Sequence, residues 1–394
     1  MNQYQLGDII EIKHGFAFSG EYITEQDNGV VLVTPGNFKI GGGFQEEKCK
    51  FFCGDIPEGY VLSAGDYIVT MTDLSKKIDT LGYSAIIPDT KNRIYLHNQR
   101  IGLIQFIDDS FDRDYIYYLM QTHSYQRVIA NTSTGATVHH TSPSRIKEFS
   151  FCAPNKSAQS KISKALKVYD LAIQSNQKQI KLLEEAAQRL YKEWFVDLRF
   201  PGHETTPIVD GLPEGWKRKK LIDIADIQYG YAFDGSLFST DKNGTPIVRI
   251  RNIPTGNTND YTSEVADNQY LVYNGDIVVG MDGEFHINTW CGKTAYLVQR
   301  TCRIKPKQEN VNGWLLQAIY SPIKYYERTI VGATVAHLGK KHLDSIELLV
   351  GTENLYIPFQ NIFEKRQILL NQNNELKEAR DRLLPKLMNG EIEV

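Results

Sequence analysis

Residues 162–194 read ISKALKVYDLAIQSNQKQIKLLEEAAQRLYKEW. Ile162, Leu166, Tyr169, Ile173, Ile180, Leu183, Ala187, Leu190 and Trp194 recur along this stretch, with Asn176 in the one polar slot. The steps alternate between four and three, the a/d seam of a coiled coil kept up for more than four heptads. A helix over about 160–195 would be on the order of 50 Å long. That exceeds what a small domain can cover, so the seam is expected to need a partner helix; the alternative is that each helix packs on its own domain. A lone core Asn selects the register of such a partner, since only another polar group satisfies it. Pro201-Gly202 marks a stop.

The chain supplies the partner. ELKEARDRL (375–383) matches LLEEAAQRL (182–190). Ile362, Leu369, Asn373, Leu376, Leu383 and Leu387 continue the same frame, with Arg366 and Arg380 in intervening slots. Pro385 is expected to end or kink this helix, and Asn389-Gly390 to cap it. Further matches fall in the same order. HGFAFSG (14–20) pairs with YGYAFDG (229–235), and Asn37 with Asn252, at an offset of 215. AGDYIVTMTD (64–73) pairs with NGDIVVGMDG (274–283) at 210, and GATV recurs at 135 and 332, each time just ahead of a histidine, His140 or His337. Five landmarks in one order make the chain two copies of one unit.

In each copy, short apolar runs such as VVLV, DYIVTM and PIVRIRNI, punctuated by Gly, Asp and Asn, precede a helix-like segment (DRDYIYYLMQTHSYQRVIA or NGWLLQAIYSPIKYYERTI). The expected fold is α/β: two α/β domains in tandem, separated and held by two long antiparallel coiled-coil helices with pseudo-two-fold symmetry. The boundaries are 1–154 for the first domain, 155–200 for the first helix, 201–354 for the second domain (201–216 as linker) and 355–394 for the second helix and tail.

Composition sets limits. The 394 residues hold 44 Lys+Arg against 47 Asp+Glu, a net charge of −3, so any nucleic-acid surface must be local. No apolar run reaches the roughly 18 residues of a membrane span, and the start lacks a signal-peptide pattern. Cys49, Cys53, Cys152, Cys291 and Cys302 are few and scattered, which suits a reducing cytoplasm; Cys49 and Cys53 read as thiols, not as a metal site. Catalytic signatures are missing. There is no Pro-Pro pair for an adenine methyltransferase loop, CGKT (291–294) lacks the upstream glycine of a P-loop, and no HExxH occurs. Glu11-x-Lys13 has a nuclease-like spacing, but its nearest upstream acid, Asp8, lies on the same short strand. Neither His140 nor His337 has a nucleophile and orienting carboxylate at a recognisable spacing. No metal or cofactor site is expected.

Basic and amide side chains cluster instead. The first copy has Lys76-Lys77 and, in RIYLHNQRIG (93–102), Arg93, Asn98, Gln99 and Arg100. The second has Arg249, Arg251 and Asn252, then His286, Asn288, Arg300, Arg303, and Lys340 in GKKHLD (339–344). Arg and Lys contact guanine and phosphate; Asn and Gln pair with adenine. The clusters differ while the framework repeats, as two readers of unlike half-sites would. The alternative is a solvated face of ordinary surface charge.

The tandem domain-plus-heptad-helix plan resembles the DNA-specificity subunit of type I restriction–modification systems. The stretches that carry the likeness are LPEGWKRKKLIDIADIQYGYAF (212–233), GATVHH (135–140), GATVAHL (332–338), LYKEWFVDLRFPGHE (190–204) and LLPKLMNGEIEV (383–394). The first unit has no PEGW stretch of its own. The resemblance implies a non-catalytic subunit that reads an asymmetric bipartite target in double-stranded DNA. It implies two adenine-N6 methyltransferase subunits using S-adenosylmethionine and two translocase–endonuclease subunits using ATP and Mg2+ as partners. The helices become the spacer between half-sites, and Gly-Ala-Thr-Val-x-His a structural turn, with Gly135 and Gly332 supplying a permissive backbone angle. The rival readings are a tandem coiled-coil scaffold that binds proteins or glycans, and a stand-alone nuclease.

Overall fold

A computed structural model of the chain describes residues 2–75, 78–135, 137–330 and 336–393. The chain divides into two units, residues 1–170 with 378–394, and residues 171–377. Both long helices are shared out between the units. The central helix spans Lys156–Tyr191 and the C-terminal helix Ile357–Met388.

The first unit has a five-stranded and a four-stranded sheet. In the first, Ile23–Thr24, Lys50–Phe52, Val30–Val33, Ile94–His97 and Val61–Leu62 lie side by side in that order. In the second the order is Ile10–His14, Ile101–Phe106, Tyr67–Thr70 and Ser84–Ile86. The second unit repeats both orders with Phe238–Ser239, Tyr261–Thr262, Thr245–Val248, Ala295–Leu297 and Leu271–Val272, then Ala225–Tyr229, Thr301–Pro306, Ile277–Gly280 and Ile287–Thr289. In each five-stranded sheet one pair runs parallel, Val30–Val33 with Ile94–His97 and Thr245–Val248 with Ala295–Leu297. A two-stranded ribbon closes each unit, Asn2–Gln5 with Ser150–Ala153 and Lys217–Lys220 with Glu347–Val350.

Each long helix is anchored to its domain by the same device. Gln159 Oε1 accepts the Asp112 backbone N–H at 2.9 Å, and Gln360 Oε1 accepts that of Gly313 at 3.4 Å. Asn155 caps the central helix through the Ala158 N–H. In the first unit Ile162, Leu166, Leu387 and Met388 join the domain core. In the second, Tyr191 stacks edge-on against Phe359 while Glu184 pairs with Arg366. As the first member advances by seven, the second retreats by seven, so the helices run antiparallel at constant register. That register sets Asn176, half-buried, level with Asn373 and Asn374; Asn373 is buried and its Oδ1 has no partner.

The heptad positions expected at the seam face inward. Ile162, Leu166, Ile173, Ile180 and Leu369 are buried; Tyr169, Leu183, Leu190, Leu376 and Leu383 are half-buried. Pro385 does not end the C-terminal helix, which continues to Met388. A proline removes one hydrogen bond, and here Leu387 and Met388, both buried in the first unit's core, hold the last turn. Gly390 follows in the left-handed region (φ 73°), as a cap requires. The central helix closes in a wider π turn, Lys192–Val196, ahead of Pro201-Gly202.

Candidate nucleic-acid interface

In each unit the chain crosses from one sheet to the other through a tight turn. Asn98-Gln99-Arg100 links Ile94–His97 to Ile101–Phe106, closed by Ile101 N–H to Asn98 O at 2.9 Å. Val298-Gln299-Arg300 does the same in the second unit, with Thr301 N–H to Val298 O at 3.2 Å. All four Gln and Arg side chains are exposed. Arg300 takes a left-handed backbone (φ 66°), uncommon for a non-glycine residue.

The same segments brace both turns. Gln99 N–H donates to Phe16 O at 2.9 Å, and Gln299 N–H to Tyr231 O at 2.7 Å. Met71 and Met281 donate their N–H groups to Arg100 O and Arg300 O at 3.0 and 2.9 Å. Their own carbonyls accept from Thr141 and Leu338 at 3.0 and 2.7 Å. The repeated Gly-aromatic pair now has a physical reason. A Cβ on Gly15 would stand 2.2 Å from Asn98 O, and one on Gly230 2.0 Å from Val298 O. Gly135 is left-handed (φ 106°) and a Cβ there would meet Val138 O at 2.0 Å. Its counterpart Gly332 lies outside the described residues.

The side chains on this common frame differ. In the first unit Thr72 Oγ1 meets His140 Nδ1 at 3.2 Å, and Asp73 turns inward to accept Ser75, Thr80 and Leu81 N–H groups. Burial pushes the Asp73 carboxyl up, but the hydrogen bonds from Thr80 and Ser75 outweigh it and hold it below the ordinary carboxylate range. Lys76 and Lys77, two expected DNA contacts, lie outside the described residues. In the second unit Asp282 instead accepts Arg300 Nη1 and His337 Nδ1, each at 2.5 Å.

The other expected contact residues fall in different places. Asn98, Gln99 and Arg100 come together at the first turn, where Asn98 Oδ1 accepts the Arg100 N–H at 3.2 Å. Arg93 sits at the far end of the preceding strand, paired with Asp27 (2.9 Å) and Glu46 (3.3 Å) over the Phe51 ring. Arg249 follows the strand parallel to Ala295–Leu297, close to the second turn, and its guanidinium lies over Phe238. Arg251 donates twice to Asp260, at 3.0 and 2.5 Å. Burial raises Asp260, yet the hydrogen bonds from Arg251 and Asn252 leave it lowered overall. Asn252 caps its own turn through the Arg249 N–H at 2.9 Å, as Asn37 does for Thr34, also at 2.9 Å. Lys340 is exposed at the start of the short helix Lys340–Asp344, two residues beyond Leu338. Gln299 was not singled out from the sequence. Its one signal is the Tyr-Leu-x-(x)-Gln-Arg pattern shared by 95–100 and 296–300.

Among the described residues no three His, Cys, Asp or Glu side chains converge as metal ligands. Burial pushes the Cys302 thiol up to about 12. No helix is long and apolar enough to cross a membrane among the residues described.

The type I restriction modification DNA specificity domain matches residues 1–185 and 213–350. The EcoBI specificity subunit of Escherichia coli is 34% identical over 133 residues, which is 34% of this chain and 28% of that protein. The MjaIX specificity subunit of Methanocaldococcus jannaschii is 26% identical over 306 residues, 73% of this chain and 70% of that protein. A solved type I restriction–modification S subunit from M. genitalium shares the fold with a TM-score of 0.56, at 16% identity, covering 98% of this chain and 96% of that one.

Proposed function

Because the chain belongs to the type I restriction modification DNA specificity family, we propose that it reads an asymmetric, bipartite DNA target, one half-site per unit. It would direct adenine-N6 methylation or restriction carried out by partner subunits. In this reading two methyltransferase subunits and two translocase–endonuclease subunits bring S-adenosylmethionine, ATP and Mg2+, and this chain contributes no catalytic group.

The observation that carries the reading is the braced, exposed Gln-Arg turn. Its backbone hydrogen bonds are the same in both units, while the side chains around it are not. A common frame places each turn; the unlike neighbours give each unit its own preference. Arg, Asn and Gln on such turns can reach base edges, and Lys can hold phosphates. The paired helices would act as spacer, their length setting the unread gap between half-sites.

The test is to map N6-methyladenine in the source genome with and without this gene, and again with Arg100→Ala and Arg300→Ala. A bipartite motif that disappears with the gene supports the reading. Salt-dependent DNA binding by the purified chain separates it from a protein-binding scaffold, which would show none. Removing seven residues from each long helix should change the gap; an unaltered gap would count against the spacer.

A further inference from the structure

The ribbon that opens the second unit carries four consecutive cations, Lys217, Arg218, Lys219 and Lys220. All four are exposed, and none makes an ion pair or side-chain hydrogen bond among the described residues. Lys220 stands directly opposite Glu347 in the ladder without pairing to it. The equivalent ribbon of the first unit is Asn2–Gln5, with no charge. Nearby Lys147 there is neutralised by Glu11, at 2.9 Å to both oxygens.

We propose that the Lys217–Lys220 ribbon is a phosphate track for double-stranded DNA, outside the base-reading turn and present in the second unit alone. This rests on the DNA-reading function proposed above. Side chains two apart on one face of a strand are about 6.7 Å from each other, so Lys217 repels Lys219 and Arg218 repels Lys220. Glu347 is the one carboxylate facing the four in the ladder, and it pairs with none of them; one lysine would suffice to keep a strand edge from aggregating. A polyanion relieves the repulsion. The chain's net charge of −3 makes so dense a positive strip stand out.

The strip is also linked to the reading turn along the chain. Leu221 N–H donates to Ile346 O at 2.8 Å, tying the ribbon to the segment that follows the Lys340–Asp344 helix. That segment leads back through Lys341 and Lys340, both exposed, to His337 and so to Asp282 and Arg300. The ladder register sorts the four cations. Arg218 and Lys220 share a face with half-buried Leu349 and exposed Glu347 and point outward; Lys217 and Lys219 share the other face with buried Leu348 and half-buried Val350, yet are themselves exposed.

The experiment measures binding of the full chain to a duplex with its target and to an unrelated duplex, across salt concentrations. The variants are Arg218→Gln with Lys220→Gln, and Lys217→Gln with Lys219→Gln. Each lost phosphate contact should lower the slope of log K against log salt by about 0.9. The outward pair should therefore lose roughly 2 of slope, weakening both duplexes by the same factor and leaving the methylated motif of the assembled complex unchanged. Exchanging Arg218→Lys and Lys220→Arg should preserve the slope. An unchanged slope in both glutamine variants overturns the track. So does a change confined to one base of the target, or unaltered DNA binding with loss of a partner subunit. If the wild-type chain itself binds no DNA, the DNA-reading function falls as well; wild-type binding with unaffected variants removes the track alone.

Discussion

Arg366 donates its Nε to Glu184 Oε1 at 2.7 Å, joining the C-terminal helix to the central one within the second unit. Its other nitrogens donate to Thr289 Oγ1 (2.7 Å) and Asn288 Oδ1 (2.8 Å), so each nitrogen of the buried guanidinium has an acceptor. The first unit has a counterpart in Arg380 and Asp170, at 2.6 Å, with Asp170 also accepting from Tyr118. The two members of the Glu184–Arg366 pair are not equivalent. Glu184 is partly exposed and can be rehydrated, whereas Arg366 cannot. Glu184→Ala should therefore cost more, about 2 kcal/mol, than Arg366→Met, about 1 kcal/mol. Denaturant midpoints at constant m check the order.

Arg100→Ala should weaken DNA binding by roughly 1–3 kcal/mol, because the side chain is exposed and has no partner among the described residues. Arg93→Ala should lower thermal stability and leave the methylation motif alone, since Arg93 is spent on Asp27 and Glu46. Motif sequencing beside a melting curve distinguishes the two.

Gly230→Ala should displace the second reading turn, because the added Cβ would lie 2.0 Å from Val298 O. Overpacking of this kind costs typically 1–3 kcal/mol. The expected outcome is a lower melting temperature together with weaker DNA binding, while Gly235→Ala, which meets nothing within 4 Å, changes neither.

Asp73 predicts a pH dependence. Its folded-state pKa is depressed, so it stabilises the fold above the ordinary carboxylate pKa of about 3.9 and loses that contribution as pH falls through the lower folded value. Asp73→Asn should be less stable than wild type at pH 7 by roughly 1–2 kcal/mol, and the gap should close in acid. Unfolding midpoints between neutral pH and pH 3 test this.

The repeat, the α/β plan and both helices were legible because periodicity is a local property of the chain. Two things were not. Arg366 and Arg380 read as breaks in a seam, because their carboxylate partners lie 182 and 210 residues away and are found only once the register is known. Asn252 read as a base contact although it caps its own turn. The clue was present, since Asn37 occupies the matching place and framework residues are those that recur. The ion pairs of Arg93 with Asp27 and of Arg251 with Asp260 were hidden for a related reason: charge marks a surface, but the acidic neighbour folded beside it is not read from the local sequence.

The alignment of Glu184 with Arg366 and of Tyr191 with Phe359 makes the helix pair a ratchet with seven-residue teeth. Sliding one rod by a tooth would bring Arg366 level with Gln177 or Tyr191, neither able to neutralise it, and would part Asn373 from the polar residue it stands beside. Gradual shear is therefore forbidden. Between these two levels, a lengthening that keeps both pairings must add a heptad to both helices together, about 10 Å.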